Sequence, residues 1–246
     1  MEPPVRASNP ELEARKAILS LLKDSPIPDK ELAINLGLFI DPILMSRLLF
    51  LNFIYQKIIP VQGIIMDLGT RWGQNAVVFE TLRSIYEPYN YQRKVVAFDT
   101  FEGFVGATDK DGKMSVVNGH YSTPENYQAT LESLLTAHEQ LHPVSHIKKF
   151  EIVAGDVSNT VPAYIDSNKE TIISLAFFDL DLYKPTFDTI NNIKDRLTIG
   201  SVLVFDELNH DSAPGETLAV VDALGLRNVA VQRFPYCSKV SYIEIR

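Results

Sequence analysis

The sequence predicts an α/β protein of the Rossmann-like class, with a seven-stranded, mostly parallel sheet, an antiparallel C-terminal hairpin and an N-terminal helical extension. Three observations support this prediction. Short β-rich runs alternate with helical stretches after Gly63, a turn containing two glycines follows the first run, and acidic residues stand at the ends of several runs. The 246 residues suffice for one such domain with a helical appendage.

The first 60 residues favour helices. Apolar residues recur at helical spacing from Glu11 to Leu22, after an Asn9-Pro10 start, and a second helical stretch runs from Asp41 to Lys57. We therefore expect residues 1–60 to form an extension that caps the site or contacts a second copy of the chain. Plain packing against the sheet is the alternative. Residues 61–246 are expected to form the main domain.

Seven runs are predicted to be strands, and five of them should be parallel. They are Ile64–Leu68, Val95–Asp99, Phe150–Ala154, Ile172–Phe178, Ser201–Phe205, Val229–Phe234 and Val240–Ile245. Only five residues separate the last two runs, too few for a helix, so these should pair antiparallel.

An insertion over residues 103–149 separates the second and third strands. It begins as a loop, and the capping sequence Ser122–Glu125 predicts a helix that continues to about Leu141. Irregular segments of this length inside a compact domain usually serve a function. We therefore expect the early part of the insertion to be a functional loop or a mobile lid.

Composition excludes several classes of protein. The net charge is −8 and no Lys/Arg cluster is present, so a nucleic-acid partner is not expected. The single cysteine, Cys237, rules out a disulfide within the chain. Charged residues interrupt the apolar stretch 36–59, which argues against a membrane span, and the N-terminus does not resemble a secretory signal. A cytoplasmic protein with a small polar substrate is the expectation.

The turn after the first strand predicts the cofactor. Gly69 and Gly73 would allow a tight turn and a close approach of the backbone to a ligand, but the G-x-G-x-x-G fingerprint of dinucleotide sites is absent. Asp67 would repel a pyrophosphate, yet it can accept hydrogen bonds from the cationic amino group of S-adenosylmethionine. The motif therefore favours S-adenosylmethionine, and an NAD-dependent oxidoreductase is the alternative.

Two further acids extend the predicted cofactor site. Asp99 ends the second strand, where an acid can accept both ribose hydroxyls, and Asp156 follows the third strand, where it can bind the adenine amino group. Alternatively, each acid only caps the helix that follows it. The predicted cofactor contacts are Asp67, Gly69, Thr70, Gly73, Asp99, Thr100, Phe101, Asp156, Val157 and Asp179.

Four carboxylates follow the fourth and fifth strands and predict the catalytic centre. They are Asp179, Asp181, Asp206 and Glu207. Carboxylates held close together repel one another, so a cation such as Mg²⁺ is expected among them. We assign Asp179, Asp206 and Glu207 to the metal and Asp181 to the general base that takes the proton of a substrate hydroxyl. His210 is a second candidate for proton transfer, and helix capping is the alternative role for the acids.

Several strings together resemble the macrocin-type (TylF-like) sugar O-methyltransferases. They are Asp67–Gly73, Phe98–Phe104, Phe178–Tyr183, Phe205–Glu207 and Pro214–Thr217, and they span roughly residues 63–221. The likeness is closest to the branch that methylates nucleotide-linked rhamnose in natural-product pathways. It implies a class I methyltransferase fold, S-adenosylmethionine and Mg²⁺ as cofactors, and a sugar or sugar-nucleotide substrate. A homo-oligomer is expected because helical extensions on this fold commonly mediate such assembly.

Transferred position by position, the resemblance implies the same roles as the strand-end analysis. Cofactor contacts fall at Asp67, Gly69, Asp99 and Asp156, metal ligands at Asp179, Asp206 and Glu207, and the base at Asp181. The chain departs from the family pattern in having Asp67 where many members have Glu, and Asp206-Glu207 where some have two aspartates. A binding protein without catalytic activity is the alternative from another functional class.

Overall fold

A computed structural model describes residues 7–112 and 119–246, and its internal contacts form two compact units, Met1–Leu49 and Phe50–Arg246. The first unit contains α1 (Asn9–Lys23), α2 (Asp29–Leu32), a 3₁₀ turn (Leu36–Phe39) and the start of α3 (Pro42–Ile58). A capping box starts α1, because the Glu11 carboxylate accepts the Ser8 N–H at 2.8 Å. No helix among the described residues is long and apolar enough to cross a membrane.

The second unit is built on one seven-stranded sheet in the order β3-β2-β1-β4-β5-β7-β6. Its strands are β1 (Ile64–Leu68), β2 (Val95–Asp99), β3 (Phe150–Ala154), β4 (Ile173–Phe178), β5 (Leu197–Phe205), β6 (Gln232–Phe234) and β7 (Cys237–Glu244). Strands β1 to β5 are parallel, and β7 is antiparallel to both β5 and β6. This confirms the predicted fold class.

Helices cover both faces of the sheet. They are α4 (Gln74–Tyr86), α5 (Tyr127–Gln140), α6 (Val157–Ser167), α7 (Tyr183–Ile193) and α8 (Gly215–Leu224). One apolar cluster joins the sheet to α3, α4 and α5, and a second joins the opposite face to α6, α7 and α8. Because both faces are covered, β1 and β4 are buried along their whole length, which explains their continuous apolar runs.

The C-terminal hairpin is tighter than the sequence suggested. Phe234 pairs with Cys237, so the connection is Pro235-Tyr236 and β7 begins before the predicted Val240. The predicted antiparallel pairing is confirmed.

Helix α5 starts later than its capping sequence predicts. Its N-cap is Asn126, which has a left-handed backbone and makes no side-chain cap bond. Thr123 instead uses its hydroxyl and its N–H to bind the Phe101 carbonyl, at 3.0 and 3.1 Å. The cap prediction was wrong because this tertiary contact takes up the capping group.

A buried network of charged residues joins α4 to α5 and the start of β3. The Arg83 guanidinium donates to the Lys149 carbonyl at 3.0 Å and to Glu139 at 3.3 Å, and the Lys149 ammonium also binds Glu139. Glu80 is fully buried 3.6 Å from Arg83, and its carboxylate oxygens accept no hydrogen bond within the described ranges. Burial raises the pKa of Glu80 to about 7.

Glu80 should make stability depend on pH. The pKa of Glu80 is about 7 in the folded chain, against 4.5 for the ordinary group. The folded state therefore binds this proton more tightly than the unfolded chain does. The resulting contribution to the free energy of unfolding is complete below pH 4.5 and is lost as the pH rises through about 7. Between pH 5 and 8, the free energy of unfolding should fall by about 2 kcal/mol more in the wild type than in Glu80→Gln. Urea unfolding across this range measures the difference. The exposed substitution Glu13→Gln should leave the pH dependence unchanged, and parallel wild-type and Glu80→Gln curves would contradict the prediction.

Candidate active site

The candidate site lies where the carboxyl ends of the central strands meet. The Asp179 N–H donates to the Leu68 carbonyl at 2.8 Å, and the Asp206 N–H donates to the Phe178 carbonyl at 3.1 Å. These bonds continue the parallel ladders past the strand ends. The segments after β4 and β5 are thereby held beside the turn that follows β1, at the edge where ligands bind in open α/β sheets.

Asp181 lies among the other predicted catalytic acids. The charges that act on it include the carboxylates of Glu207 and Asp206, and burial followed by these two charges raises the pKa of Asp181 to about 7. A carboxyl with such a pKa can both accept and release a proton near neutral pH. The backbone φ of Asp181 is +59°, so the strand is no longer extended at this residue.

Two cations and a phenol complete the cluster. Lys239 of β7 places its ammonium 2.6 Å from a Glu207 carboxylate oxygen, and both Lys239 and Arg71 offset the negative charge around Asp181. The Arg71 guanidinium lies 4.7 Å from the ring centroid of Tyr121. Burial, and then the charges of Asp181 and Glu207, raise the pKa of Tyr121. Arg71 lies within the glycine turn after β1, but its sequence position gives no sign of a role beside Asp181. Lys239 and Tyr121 come from distant parts of the chain, and no local pattern marks either of them.

A fully buried carboxyl, Glu216, holds the backbone of the segments that carry the cluster. It stands in the first turn of α8 and accepts the N–H groups of Leu180 and Glu207, both at 3.2 Å. Burial raises the pKa of Glu216 well above its ordinary value. One side chain thus fixes the segments after both β4 and β5. The Pro214–Thr217 string was the one sequence signal for this residue.

The side chain of Asp67 stabilises the turn after β1. Asp67 is fully buried, and its two oxygens accept hydrogen bonds from the Thr70 hydroxyl at 2.6 Å and the Asn75 amide at 3.1 Å. Gly69 has a φ of +88°, and any side chain there would collide with the Asp179 carbonyl. The turn is therefore tied directly to the segment that leads to Asp181.

Gly73 lies at the end of the same turn. Its φ is +79°, and Leu131 of α5 fills the space where a side chain would stand. The close approach at this glycine is therefore to α5, whereas the sequence predicted an approach to a ligand.

Asp99 connects two loops at the neighbouring strand end. One of its oxygens accepts the Arg71 N–H at 2.8 Å, and the other accepts the Phe101 N–H at 2.6 Å. The adjacent Thr100 hydroxyl donates to the Gly103 carbonyl at 2.8 Å, which closes the loop that starts the insertion. Asp99 remains partly exposed, so its carboxylate can accept further hydrogen bonds.

Asp156 is the N-cap of α6. It accepts the Ser158 N–H at 2.9 Å, as the capping alternative expected, and Val157 is buried in the core beneath it. The Ser158 hydroxyl and the Arg71 Nε are both buried and have no hydrogen-bond partner among residues 7–112 and 119–246. Ser158 and Arg71 use their main-chain N–H groups for Asp156 and Asp99, so these two side-chain atoms are available to a polar ligand at this edge of the sheet.

The predicted metal ligands do not form a metal centre in this arrangement. Within the described part of the chain, no three His, Cys, Asp or Glu side chains are grouped to hold a metal ion. Glu207 is instead paired with the Lys239 ammonium. The structure therefore does not support Mg²⁺ at Asp179, Asp206 and Glu207, and the metal assignment stays a prediction from the sequence.

The predicted second proton-transfer residue, His210, has a local partner. Its Nδ1 lies 3.1 Å from the Ser212 hydroxyl, in the loop that precedes α8. The catalytic role of His210 stays a prediction.

The chain is similar to solved methyltransferase structures, although no protein-family model and no curated protein sequence matches it. The crystal structure of CalS11, a calicheamicin methyltransferase, is 39% identical, with a TM-score of 0.94 over 98% of this chain and 94% of that chain. The apo structure of CalS11, described as a TDP-rhamnose 3'-O-methyltransferase in calicheamicin biosynthesis, is 37% identical, with a TM-score of 0.87 over 98% and 96%. The O-methyltransferase NovP shares only the fold, at 16% identity and a TM-score of 0.60 over 81% of this chain and 79% of that chain.

Proposed function

We infer the function from one premise: the chain belongs to the family of S-adenosylmethionine-dependent sugar O-methyltransferases that includes CalS11. Its reaction is proposed to be methyl transfer to a hydroxyl of a nucleotide-linked deoxysugar, within natural-product biosynthesis. The observation that carries this proposal is 39% identity over nearly the whole chain to such an enzyme. The clustering of Asp181 with Asp206 and Glu207 supports it, because methylation of a hydroxyl needs a proton acceptor.

Three strand ends are proposed to hold the methyl donor. The β1 turn from Gly69 to Gly73 would lie along the amino-acid part, Asp99 would accept the ribose hydroxyls, and the start of α6 at Asp156 to Ser158 would meet the adenine. The cofactor supplies a methyl group on a sulfonium, which is open to in-line displacement. Asp67 contributes by bracing the turn through Thr70 and Asn75.

Asp181 is proposed to be the general base. A carboxylate oxygen of Asp181 would take the proton of the substrate hydroxyl while that hydroxyl oxygen displaces the cofactor sulfur from the methyl carbon. Arg71 and Lys239 lie close enough to offset the negative charge of the cluster, and Tyr121 can donate a hydrogen bond to the substrate. Much of the acceleration would come from alignment of the hydroxyl with the methyl group, which requires rigid loops after β4 and β5.

A turnover assay with TDP-rhamnose tests the function. The protein is mixed with S-adenosylmethionine and TDP-rhamnose, and S-adenosylhomocysteine and the methylated sugar are measured by mass spectrometry. Product that depends on both substrates is the expected result. Free rhamnose and other sugar nucleotides serve as comparisons for the carrier. A broad screen without product would favour the binding-protein alternative, and tighter binding of NADH than of S-adenosylhomocysteine would favour the oxidoreductase.

The dependence on Mg²⁺ stays a prediction from the sequence. Lys239 already binds Glu207, so an ion at that carboxylate would have to displace the ammonium. We therefore expect Lys239→Ala to lower the Mg²⁺ concentration for half-maximal binding several-fold, by removal of a nearby positive charge. Titration calorimetry with MgCl₂ measures this, and the exposed variant Lys169→Ala is the control. Unchanged Mg²⁺ binding in Lys239→Ala, with full turnover in excess chelator, would refute the metal prediction.

The N-terminal residues are proposed to serve assembly. The proposal keeps a boundary near residue 60 and an insertion over residues 103–149. It also keeps a homo-oligomer that forms through the N-terminal helices. Sedimentation of the full chain would test the oligomer. A full-length monomer would refute the oligomer.

A further inference from the structure

A short turn of the insertion is tied to the first residue of α7. The turn is the 3₁₀ helix Asp109–Asp111 with its N-cap Thr108, and Asp111 is fully buried. The Asp111 carboxylate accepts the Thr108 N–H at 2.5 Å and the Thr108 hydroxyl at 2.9 Å. It also accepts the main-chain N–H of Tyr183. One buried carboxylate therefore connects the insertion to a peptide two residues beyond Asp181.

The Asp181 segment needs support from its surroundings. Asp181 has a φ of +59°, a left-handed conformation that costs free energy for a residue with a Cβ and persists only where neighbouring contacts hold it. Glu216 holds the N–H of Leu180 on one side, and Asp111 holds the N–H of Tyr183 on the other. The two buried carboxylates thus fix both flanks of the proposed base.

Gly215 closes the remaining side of this segment. A side-chain carbon at Gly215 would lie 2.6 Å from the Asp181 carbonyl oxygen and would collide with the Asp111 carboxylate. The start of α8 therefore packs directly on the segment between the two carboxylates. Little space remains for the backbone at Asp181 to relax while these contacts are in place.

A second, exposed contact holds the same turn. The Lys110 ammonium lies 2.8 Å from an Asp222 oxygen and 3.7 Å from the ring centroid of Tyr183. The Tyr183 hydroxyl donates to the same Asp222 oxygen at 2.9 Å. Exposed ion pairs contribute little to stability. The Lys110–Asp222 pair should therefore contribute less to the stability of the turn than the buried hydrogen bonds of Asp111.

We propose that Asp111 is a positioning residue for methyl transfer: its carboxylate holds the Tyr183 peptide so that Asp181 keeps the backbone conformation that aims it at the substrate hydroxyl. The role rests on the proposed function and deepens it, because it couples the insertion to the base. Loss of this contact should lower kcat for methyl transfer and leave cofactor affinity intact, since Thr108 and Tyr183, which Asp111 binds, are not among the proposed cofactor contacts.

The test compares Asp111→Ala and Asp111→Asn with the wild type. Asn keeps an oxygen that can accept the Tyr183 N–H, whereas Ala removes the contact. We expect at least a tenfold loss of kcat in Asp111→Ala, a smaller loss in Asp111→Asn, and unchanged affinity for S-adenosylhomocysteine in both. Hydrogen–deuterium exchange should quicken in the peptide over residues 180–187. Asp109→Ala removes an exposed carboxylate from the same turn and is the matched control.

Each outcome separates the positioning role from simpler explanations. Unchanged kcat and unchanged exchange in a folded Asp111→Ala protein would overturn it. A parallel fall in kcat, cofactor affinity and unfolding temperature would also overturn it, because the role would then be only structural. If Asp111→Ala does not fold, Asp111→Asn decides between these results. If the wild type methylates no sugar nucleotide, the proposed function fails, and exchange alone supports or overturns the tie between Asp111 and the Asp181 segment.

Discussion

Replacement of Asp181 by Asn is expected to reduce kcat for sugar methylation by about 10² to 10⁴-fold. Asn has nearly the same shape but cannot take a proton, so the effect isolates the role of Asp181 as general base. Asn also tolerates the left-handed backbone that Asp181 adopts, with a φ of +59°, so the loop should keep its conformation. Steady-state kinetics with TDP-rhamnose measures kcat, and calorimetric titration with S-adenosylhomocysteine measures the affinity for the cofactor product.

The control for this experiment is Asp166→Asn. Asp166 is an exposed residue of α6 that pairs with Lys169, so the same chemical change there should leave kcat unaltered. Asp181→Asn should bind S-adenosylhomocysteine as the wild type does. Full methyl transfer by Asp181→Asn would show that Asp181 is not the general base, and Tyr121 and His210 would then be the candidate bases.

Replacement of Arg93 by Met is expected to cost about 3–5 kcal/mol of unfolding free energy, the range measured when one partner of a buried ion pair is removed. Arg93 is buried and binds Glu87 at 3.0 Å, the Gly63 carbonyl at 2.7 Å and the Ile58 carbonyl at 3.0 Å. Met fills much of the same volume but leaves the Glu87 charge and these carbonyls without their donor. Equilibrium urea unfolding measures the loss.

Arg227→Met is the matched control, because Arg227 is exposed and the change should be within about 0.5 kcal/mol. The double variant Arg93→Met/Glu87→Gln should recover part of the loss, since it removes the unpaired charge as well as its partner. A loss below about 1 kcal/mol for Arg93→Met would mean that water or a rearranged backbone satisfies the buried acceptors. The double variant keeps the prediction testable if Arg93→Met is too unstable to purify.

The strands were predictable because the local sequence reports burial. The first three predicted strands have the bounds that the structure shows. Strands β1 and β2 are buried apolar runs, whereas β3 is a partly exposed edge strand, and a glycine or an acid closes each of the three. The fourth differs by one residue. Strand β5 begins at Leu197, four residues before the predicted Ser201, because its first half is exposed and Gly200 interrupts the apolar pattern there.

The cofactor edge was predictable to the level of residue types. Acids at the ends of β1, β2 and β3 were correctly placed at one edge, because parallel strands bring their carboxyl ends together. The use of each acid was not predictable. Asp156 caps a helix and Asp67 braces a turn through Thr70 and Asn75, and both uses depend on where neighbouring side chains point.

By itself, the sequence determined the class of fold, the edge of the sheet that carries the site, and the acids that follow β4 and β5. The reason is that local sequence patterns indicate which strands are buried and that these strands run parallel. Only the tertiary structure decided which residues surround Asp181. The residues around the Asp181 segment come from distant parts of the chain: Lys239 from β7, Glu216 from α8, and Tyr121 and Asp111 from two places in the insertion. Contacts between such distant positions are set by packing and leave no periodic trace along the chain.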